Sequence, residues 1–337
     1  RLINVRSYIS MHPVGTEGWD EDILLYSEPL QITPAEYSDT AALFRSEGYN
    51  LIWSDEFDGT QLDETKWRLR SESGGSEIKN LGNDPRVFKI ENGTAIMRTI
   101  PYTDANDSNI KYAVSGGLST SQDMAYRYGY IEMRAKISYM QGVWMSFWLR
   151  GSDDYYNEPN VGKPHRISVG SSAEADIFEI FSSADTATPN IHLWSWSNET
   201  MTATDEAYNS EGRQSNVKTF ADAANLSEEY HVYGFEWTPT YMTMYVDGEA
   251  CMTYDITEHW SESGTLSVQA FQNPMHVILG SGLFTEDVSW ATPDLLPENP
   301  ETFTTHYIVD YVRLYQKPDV SGSINGTNVT SAVYTSQ

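Results

Sequence analysis

The chain has 337 residues with 21 basic and 48 acidic side chains, which gives a formal net charge of −27. This charge repels phosphate backbones and anionic lipid, so it argues against nucleic acid or a membrane surface as a partner. No apolar run approaches the ~18 residues that a membrane-spanning helix needs. Cys251 is the only cysteine, which excludes intrachain disulfides and zinc sites built from several cysteines.

The first 33 residues contain two candidate strands, 4–8 and 26–33, which resemble the last two strands of a fibronectin type III module. Two strands cannot bury a core by themselves. We therefore expect segment 1–33 to lean on the main domain or to be a remnant of such a module. The chain opens at Arg1 without a signal peptide, so we expect that a targeting segment has been removed and that the protein is secreted or displayed at the cell surface.

A helix is predicted between Thr33 and Gly48. Thr33 can cap its start, Pro34 suits the first helical position, and Gly48 follows a run that contains several apolar residues. Residues 34–49 are accordingly interpreted as a helical linker between two unlike regions.

Beyond the linker, alternation of apolar and polar residues predicts half-buried strands at 129–137, 231–237 and 241–246. Asp247-Gly248 is typical of a tight hairpin, because glycine tolerates positive φ. Many short strands and almost no helical pattern predict an all-β protein built as a β-sandwich. Residues 318–337 are rich in Ser, Thr, Gly and Asn and are predicted to be a tail or linker.

The most informative stretch is Ser172-Ala-Glu-Ala-Asp-Ile-Phe-Glu-Ile180. A regular strand places Glu174 and Asp176 on one face and Glu179 on the other. A β-bulge between Asp176 and Glu179 returns Glu179 to the face of the other two acids. Carboxylates on one face repel each other unless a function retains them, and a retaining glycosidase uses two carboxyl groups about 5–5.5 Å apart. The alternative is an ordinary strand whose acids face solvent.

Tryptophans on the neighbouring segments favour a sugar-binding cleft. Trp144 and Trp148 share one strand face upstream, and His192, Trp194 and Trp196 share one face downstream. Flat indole rings stack on pyranose rings, so tryptophans beside paired carboxylates are typical of a carbohydrate site. His192 is interpreted as a supporting partner of one acid, with a general base or a structural histidine as alternatives.

These residues resemble glycoside hydrolase family 16. The resemblance depends on Glu174-Ala-Asp-Ile-Phe-Glu179, which has the Glu–x–Asp–x–x–Glu form of that family's signature. Collinear matches span about residues 50–316. They are Trp53-Ser-Asp-Glu-Phe-Asp-Gly59, Ser115-Gly-Gly-Leu118, Tyr128-Gly-Tyr-Ile-Glu-Met-Arg-Ala135, Val143-Trp-Met-Ser-Phe-Trp-Leu149, Phe235-Glu-Trp-Thr238, Tyr245-Val-Asp-Gly248 and Val309-Asp-Tyr-Val-Arg-Leu-Tyr315.

The resemblance implies a jelly-roll β-sandwich of two curved antiparallel sheets, with an open concave cleft, over a catalytic domain at residues 50–317. It implies Glu174 as the nucleophile, Glu179 as the general acid/base and Asp176 as the carboxylate between them. No cofactor is expected for catalysis. The family also suggests a structural calcium ion held by Glu56, the carbonyl of Gly93 and Asp310; hard oxygen donors suit Ca²⁺, but the two acids can equally pair with arginine or solvent.

The predicted function is that of an endo-acting, retaining β-glycoside hydrolase, expected to be monomeric. The acidic chain favours a neutral β-1,3(-1,4)-glucan such as laminarin or lichenan, and is awkward for sulfated ligands unless a local basic pocket overrides it. A β-galactan substrate, of agar, porphyran, carrageenan or mucin type, is the alternative. It is favoured because the approach at 164–173 lacks the Trp-Pro and Gly usual in laminarinases. A catalytically silent sugar-binding jelly roll is the third possibility.

Overall fold

The computed structural model describes residues 39–70, 75–120, 123–138, 142–151, 171–180, 187–196, 203–207, 226, 229–257, 271–283 and 305–318. It also describes the backbone of seven short strands nearer the two ends. The chain divides into two units, Arg1–Asp39 and Thr40–Gln337.

The described residues of the first unit form four short strands, β1 (Ile3–Val5), β2 (Tyr8–Met11), β3 (Ile23–Tyr26) and β4 (Leu30–Ile32). β1 pairs with β4 and β2 pairs with β3, both antiparallel.

The second unit is a sandwich of two large sheets, numbered in chain order. The ten-stranded sheet contains β5 (Asn50–Asp55), β7 (Ile78–Asn80), β8 (Phe88–Glu91), β9 (Thr94–Pro101), β10 (Tyr112–Val114), β13 (Gly129–Ile137), β18 (His231–Trp237), β19 (Tyr241–Val246), β20 (Glu249–Asp255) and β22 (Thr305–Gln316). The nine-stranded sheet contains β6 (Arg68–Leu69), β11 (Gly116–Ser119), β12 (Met124–Arg127), β14 (Val143–Gly151), β15 (Ser171–Ile180), β16 (Ala187–Trp196), β17 (Ala203–Ala207), β21 (Met275–Leu283) and β25 (Ala332–Thr335).

The strands predicted from alternation at 129–137, 231–237 and 241–246 are confirmed as β13, β18 and β19. The predicted hairpin is confirmed as well, since Asp247 and Gly248 connect β19 to β20 with φ values of +49° and +82°. Pairing is antiparallel throughout the two large sheets apart from β7 with β10, so the all-β sandwich expected from the sequence is what the chain forms.

The core lies between the two sheets, where each contributes alternate side chains. Ala173, Ala175 and Phe178 of β15 are buried from one side, and Tyr233 and Tyr307 from the other. The ring centroids of Phe178 and Tyr233 lie 4.5 Å apart. Because the apolar residues of β15 point into this core, its acidic residues must occupy the opposite face of the nine-stranded sheet.

Helix α1 (Thr40–Ser46) packs on the outer face of the ten-stranded sheet. Phe44 stacks on Tyr130 with ring centroids 3.7 Å apart, and Thr40 donates a 2.6 Å hydrogen bond to the buried Glu132. The helix ends as predicted before Gly48, whose φ of +92° suits a glycine cap. The predicted start at Thr33 lies outside the described residues.

Residues 318–337, predicted as a tail or linker, contain three strands: β23 (Ser321–Ile324), β24 (Thr327–Thr330) and β25. β23 and β24 form a hairpin, and β25 pairs antiparallel with β12 at the side of the nine-stranded sheet. The sequence composition did not predict this strand pairing, because the β-prone run at 332–335 is only four residues long. In the part of the chain that the structure describes, no helix is long and apolar enough to cross a bilayer.

Candidate active site

The three acids of β15 come together on the exposed side of the nine-stranded sheet because the strand contains a bulge. Asp176 lies opposite Asn190 on β16, whereas Glu179 lies opposite Thr188, so Ile177 and Phe178 together face a single residue. The same shift separates the partners of β15 on β14. The bulge predicted between Asp176 and Glu179 is therefore confirmed, and it turns Glu179 towards the other two acids.

Glu179 is the acid most strongly perturbed by its surroundings. Burial and the negative charge of Asp176, with a smaller effect of Glu174, raise the pKa of Glu179 well above its ordinary value. The indole Nε1 of Trp144 donates a 3.0 Å hydrogen bond to Oε1 of Glu179 and opposes that shift. A carboxyl group held protonated near neutral pH is what a general acid requires.

Asp176 is almost fully buried between the other two acids and His192. The imidazole Nε2 of His192 lies 3.0 Å from Oδ2 of Asp176, which is the supporting contact expected from the sequence. Nδ2 of Asn190 approaches the same imidazole nitrogen at 2.9 Å. Ligand atoms of Glu174, Asp176 and His192 all lie within 4.8 Å of one another, so these three form one compact polar cluster.

The predicted sugar-stacking tryptophans fall on two strands. Trp144 is partly exposed beside Glu179, whereas Trp148 is only 7% exposed and lies opposite Asp176 on the neighbouring strand. Trp194 and Trp196 belong to β16, where Trp194 pairs with Ser172 and Trp196 with Ala203 of β17. Their side chains lie outside the described residues.

The floor beside the acids is made of very small residues. Ser146 of β14, Gly280 of β21 and Gly117 of β11 follow one another in register across three strands, next to Glu179. A Cβ atom at Gly117 would lie 2.2 Å from the carbonyl oxygen of Leu279, and its φ of +109° also favours glycine. Because these residues have little or no side chain, the sheet surface beside Glu179 leaves space for a sugar ring.

Sequence reasoning missed three basic residues on this face: Arg70, Arg150 and His276. Arg150 lies opposite Glu174 on one side and His276 on the other, and the guanidinium carbon of Arg70 lies 5.5 Å from the ring centroid of Trp148. Burial and the charges of both arginines lower the pKa of His276 to about 3, so its imidazole is neutral. Arg150 could have been found, because it continues the alternation of Trp144 and Trp148, but Arg70 and His276 are brought in only by strand register.

The residues predicted to hold calcium lie elsewhere, on the ten-stranded sheet and its loops. Glu56 receives two hydrogen bonds from Arg313, at 2.9 and 2.6 Å. Asp310 occupies a bulge in β22 and receives a 2.7 Å hydrogen bond from Arg134. Gly93 forms the turn between β8 and β9 with a φ of +74°.

A β-sandwich with three clustered carboxylates beside tryptophans on one open sheet defines a glycoside hydrolase of the jelly-roll class. The chain belongs to glycoside hydrolase family 16: residues 50–317 match the family described as the GH16 domain of β-porphyranases A–D.

Individual relatives include enzymes with different substrates. The chain is 27% identical to β-porphyranase E of Zobellia galactanivorans over 79% of its own length and 86% of that protein. It is 25% identical to glucan endo-1,3-β-glucosidase A1 of Niallia circulans over 80% of its own length and 38% of that protein. The chain spans little more than a third of the length of the first curated relatives it matches. The crystal structure of SCLam, a non-specific endo-β-1,3(4)-glucanase from family GH16, superposes with a TM-score of 0.57 at 25% identity, covering 80% of this chain and 92% of the other.

Proposed function

We propose that the protein is an endo-acting, retaining β-glycoside hydrolase in which Glu174 is the nucleophile and Glu179 the general acid/base. The observation that carries this assignment is the bulge of β15, which places Glu179 on the same strand face as Glu174 and Asp176; burial and the Asp176 charge raise the pKa of Glu179 there. Two carboxyl groups in unlike environments can divide the two roles, one ionised and one protonated.

In the first step of the proposed reaction, the Glu174 carboxylate attacks the anomeric carbon while the bond to the leaving sugar breaks. The proton of Glu179 passes to the departing glycosidic oxygen. In the second step, the Glu179 carboxylate takes a proton from water, whose oxygen attacks the same carbon and releases Glu174. Two inversions retain the configuration of the product.

Asp176 and His192 support these two acids without reacting. The charge of Asp176 keeps Glu179 protonated, and the 3.0 Å contact with His192 fixes the orientation of the Asp176 carboxylate. Trp144 holds Glu179 in place through its indole N–H. Trp148, Trp194 and Trp196 are proposed to line the sugar subsites on either side.

Anion rescue of two alanine variants tests the division of roles. With an activated aryl glycoside, Glu174→Ala should regain activity in azide and release an α-glycosyl azide, because azide takes the place of the nucleophile. Glu179→Ala should release the β-glycosyl azide, because Glu174 still forms the intermediate. Exchanged products would reverse the assignment, and wild-type activity of both variants would reject it. Glu64→Ala, which changes an exposed acid outside this strand, serves as the control.

For the substrate we propose an anionic β-galactan of porphyran type, in place of the neutral glucan that the net charge favoured. Arg70 and Arg150 supply two positive charges directly beside Glu174 and Trp148, within a chain of net charge −27. Both guanidinium groups already have contacts within the protein, and a sulfate ester offers them an additional charged partner that a neutral glucan does not. The match of residues 50–317 to the family model of β-porphyranases A–D supports the same substrate class.

Product release from a panel of polysaccharides decides between the substrates. Laminarin, lichenan, agarose, porphyran and chemically desulfated porphyran are compared, with Glu174→Ala as the blank. We expect cleavage of porphyran and a KM that rises about tenfold in Arg70→Gln, the size expected for one lost hydrogen bond to a charged group. Cleavage of laminarin alone would restore the glucan prediction, and binding without cleavage by wild-type protein would indicate a silent sugar-binding module.

A structural calcium ion at Glu56, Gly93 and Asp310 is a separate proposal. The donors are hard oxygens, and Glu56 borders a cavity of about 320 Å³ that Asp55, Asp58 and Asp63 also line. Both carboxylates are bound by arginine, so calcium must displace Arg313 and Arg134 and we expect weak binding. A rise in Tm with millimolar calcium, absent in Glu56→Gln, supports the site; no rise rejects it.

We further propose a domain organisation with a fibronectin type III-like segment at 1–33, a helical linker at 34–49 and a catalytic domain at 50–317. The segment at 318–337, expected to be a tail or linker, is proposed to follow the catalytic domain and to contribute β25 to its nine-stranded sheet. Secretion or surface display and a monomeric state are proposed with it. Fractionation of the source cells tests the location, and light scattering of the purified chain tests the mass.

A further inference from the structure

The outer face of the ten-stranded sheet carries a cluster of cations on the side away from the acids. Inward-facing residues of β9, β13 and β22 are buried in the core, so the residues between them face outwards. Among these, Arg98 of β9 lies directly opposite His306 of β22. On the other side of β22, Lys136 of β13 lies opposite Ile308. We call Arg98, Lys136 and His306 the outer cationic cluster.

Arg98 and Lys136 are not held in ion pairs by the described acids around them, and Arg98 contributes less than Lys89 to the lowered pKa of Glu91. The nearby Glu91 pairs with Lys89, and Asp310 pairs with Arg134. Arg98 and Lys136 form no ion pair with any residue that the structure describes; Lys136 instead lies 4.8 Å from the ring centroid of Tyr230, which Arg134 also contacts at 4.1 Å. Burial and the charges of Arg98 and Lys136 lower the pKa of His306, which shows that both cations act on one spot.

This arrangement is costly in a free protein. Like charges on neighbouring strands destabilise a sheet, and a chain with 48 acidic residues has ample carboxylates with which to compensate them. Tyr230, Ile96 and Ile308 supply apolar surface beside the cations, and all three are only partly buried. Cations flanking an aromatic and aliphatic surface suit a ligand that combines sugar rings with negative groups.

We propose that the outer cationic cluster is a second binding site for anionic polysaccharide, which holds a sulfated galactan chain on the face opposite the cleft. The identity of the ligand rests on the proposed function, whereas the existence of the site does not depend on the roles of Glu174 and Glu179. Such a site keeps the enzyme on a long polymer between cleavage events and adds avidity without changing the chemistry.

Affinity gel electrophoresis in porphyran tests the proposal with the full chain. The double variant Arg98→Gln/Lys136→Gln should lose about tenfold in apparent affinity, as for the loss of a charged contact. Lys79→Gln/Lys111→Gln removes the same charge from lysines that pair with Asp104 and Glu77 and should change affinity less than about twofold, because those charges already have partners. Desulfated porphyran should retard the wild type less, and added salt should weaken the retardation.

Turnover of short oligosaccharides, which fill only the cleft, should be unchanged in the double variant. If the wild type does not cleave porphyran but is retarded by it, and the retardation requires Arg98 and Lys136, the proposed function is rejected and this site is supported. Equal retardation of the wild type and both double variants would overturn the site. A concentration-dependent dimer that only Arg98→Gln/Lys136→Gln abolishes in light scattering would overturn it in favour of a second copy of the chain as the partner.

Discussion

Both faces of this sandwich bear buried carboxylates, but the groups that surround these carboxylates differ between the two faces. On the outer face, Glu132 accepts hydrogen bonds from Thr40 and Tyr130, and Glu236 accepts them from Tyr49 and Tyr245. On the cleft face, Glu174, Asp176 and Glu179 lie on one face of β15, and the charges of Asp176 and Glu174 raise the pKa of Glu179.

This difference in surroundings distinguishes carboxylates with a structural role from carboxylates suited to catalysis. A carboxylate that accepts bonds from neutral hydroxyl groups is satisfied and fixes the packing around it. A carboxyl group whose pKa is raised by neighbouring carboxylates, as for Glu179, is held in an unfavourable arrangement, which the fold tolerates because it supplies one ionised and one protonated group. Acids on the two faces should therefore respond differently to substitution.

The largest expected effect is on turnover at the cleft face. Glu174→Ala and Glu179→Ala should each lower kcat on polysaccharide by about 10³-fold or more, because nucleophile and general acid act in the rate-determining steps. Their melting temperatures should stay near that of the wild type, since each change also removes repulsion. Steady-state kinetics and thermal unfolding of the same preparations check both statements. A much lower melting temperature for either variant would mean that these acids stabilise the fold, as Glu132 and Glu236 do.

The next effect is on stability at the outer face. Phe44 is 4% exposed and stacks on Tyr130, so Phe44→Ala should lower the free energy of unfolding by about 3 kcal/mol. Leu43→Ala on the same helix is the control, because Leu43 is 59% exposed and should cost less than about 0.5 kcal/mol. Urea unfolding measures both. Equal losses for the two variants would mean that α1 does not pack as described.

A smaller effect is expected for Asp176→Asn, which keeps the shape and removes the charge. The pKa of Glu179 should fall, because burial remains but the Asp176 charge is gone. Since a general acid works below its pKa, the alkaline limb of the rate profile should move to lower pH, with kcat lowered about 10- to 100-fold. A pH–rate series of kcat/KM on an unactivated substrate measures the shift. An alkaline limb that stays in place would mean that Asp176 does not set the protonation of Glu179.

The smallest effect tests the satisfied carboxylates. Tyr49→Phe removes one of the hydroxyl donors of Glu236 and should cost about 1.5 kcal/mol of unfolding free energy without changing kcat. Tyr128→Phe is the matched control, because the buried Tyr128 hydroxyl has no hydrogen-bond partner among the residues that the structure describes, and its removal should cost almost nothing. Denaturant melts of the two variants distinguish them. A fall in kcat for Tyr49→Phe would mean that Glu236 and its hydrogen bonds on the outer face affect catalysis.

Much of this fold and site follows from local patterns. Alternation within single strands predicted β13, β18 and β19, because inward and outward residues differ in polarity. The bulge between Asp176 and Glu179 followed from one strand alone, since three acids can share a face only if an extra residue is inserted.

Other features could not be read locally because they depend on which strands become neighbours. The pairing of β25 with β12 joins segments about two hundred residues apart, and the short run at 332–335 gives no sign of its partner. Arg70 meets Trp148 only because β6 pairs with β11, and β11 with β21 and β21 with β14 in turn. The charge total of −27 therefore suggested a neutral ligand, although the sheet gathers arginines at the cleft.

The sequence by itself determined the sandwich, the strand that carries the three acids and the bulge that aligns them. Each of these depends on the order of polar and apolar residues over fewer than ten positions. Tertiary structure decided which charges lie beside those acids and which lie on the opposite face. Strand register sets those distances, and electrostatic effects on pKa and binding depend on distance rather than on position along the chain.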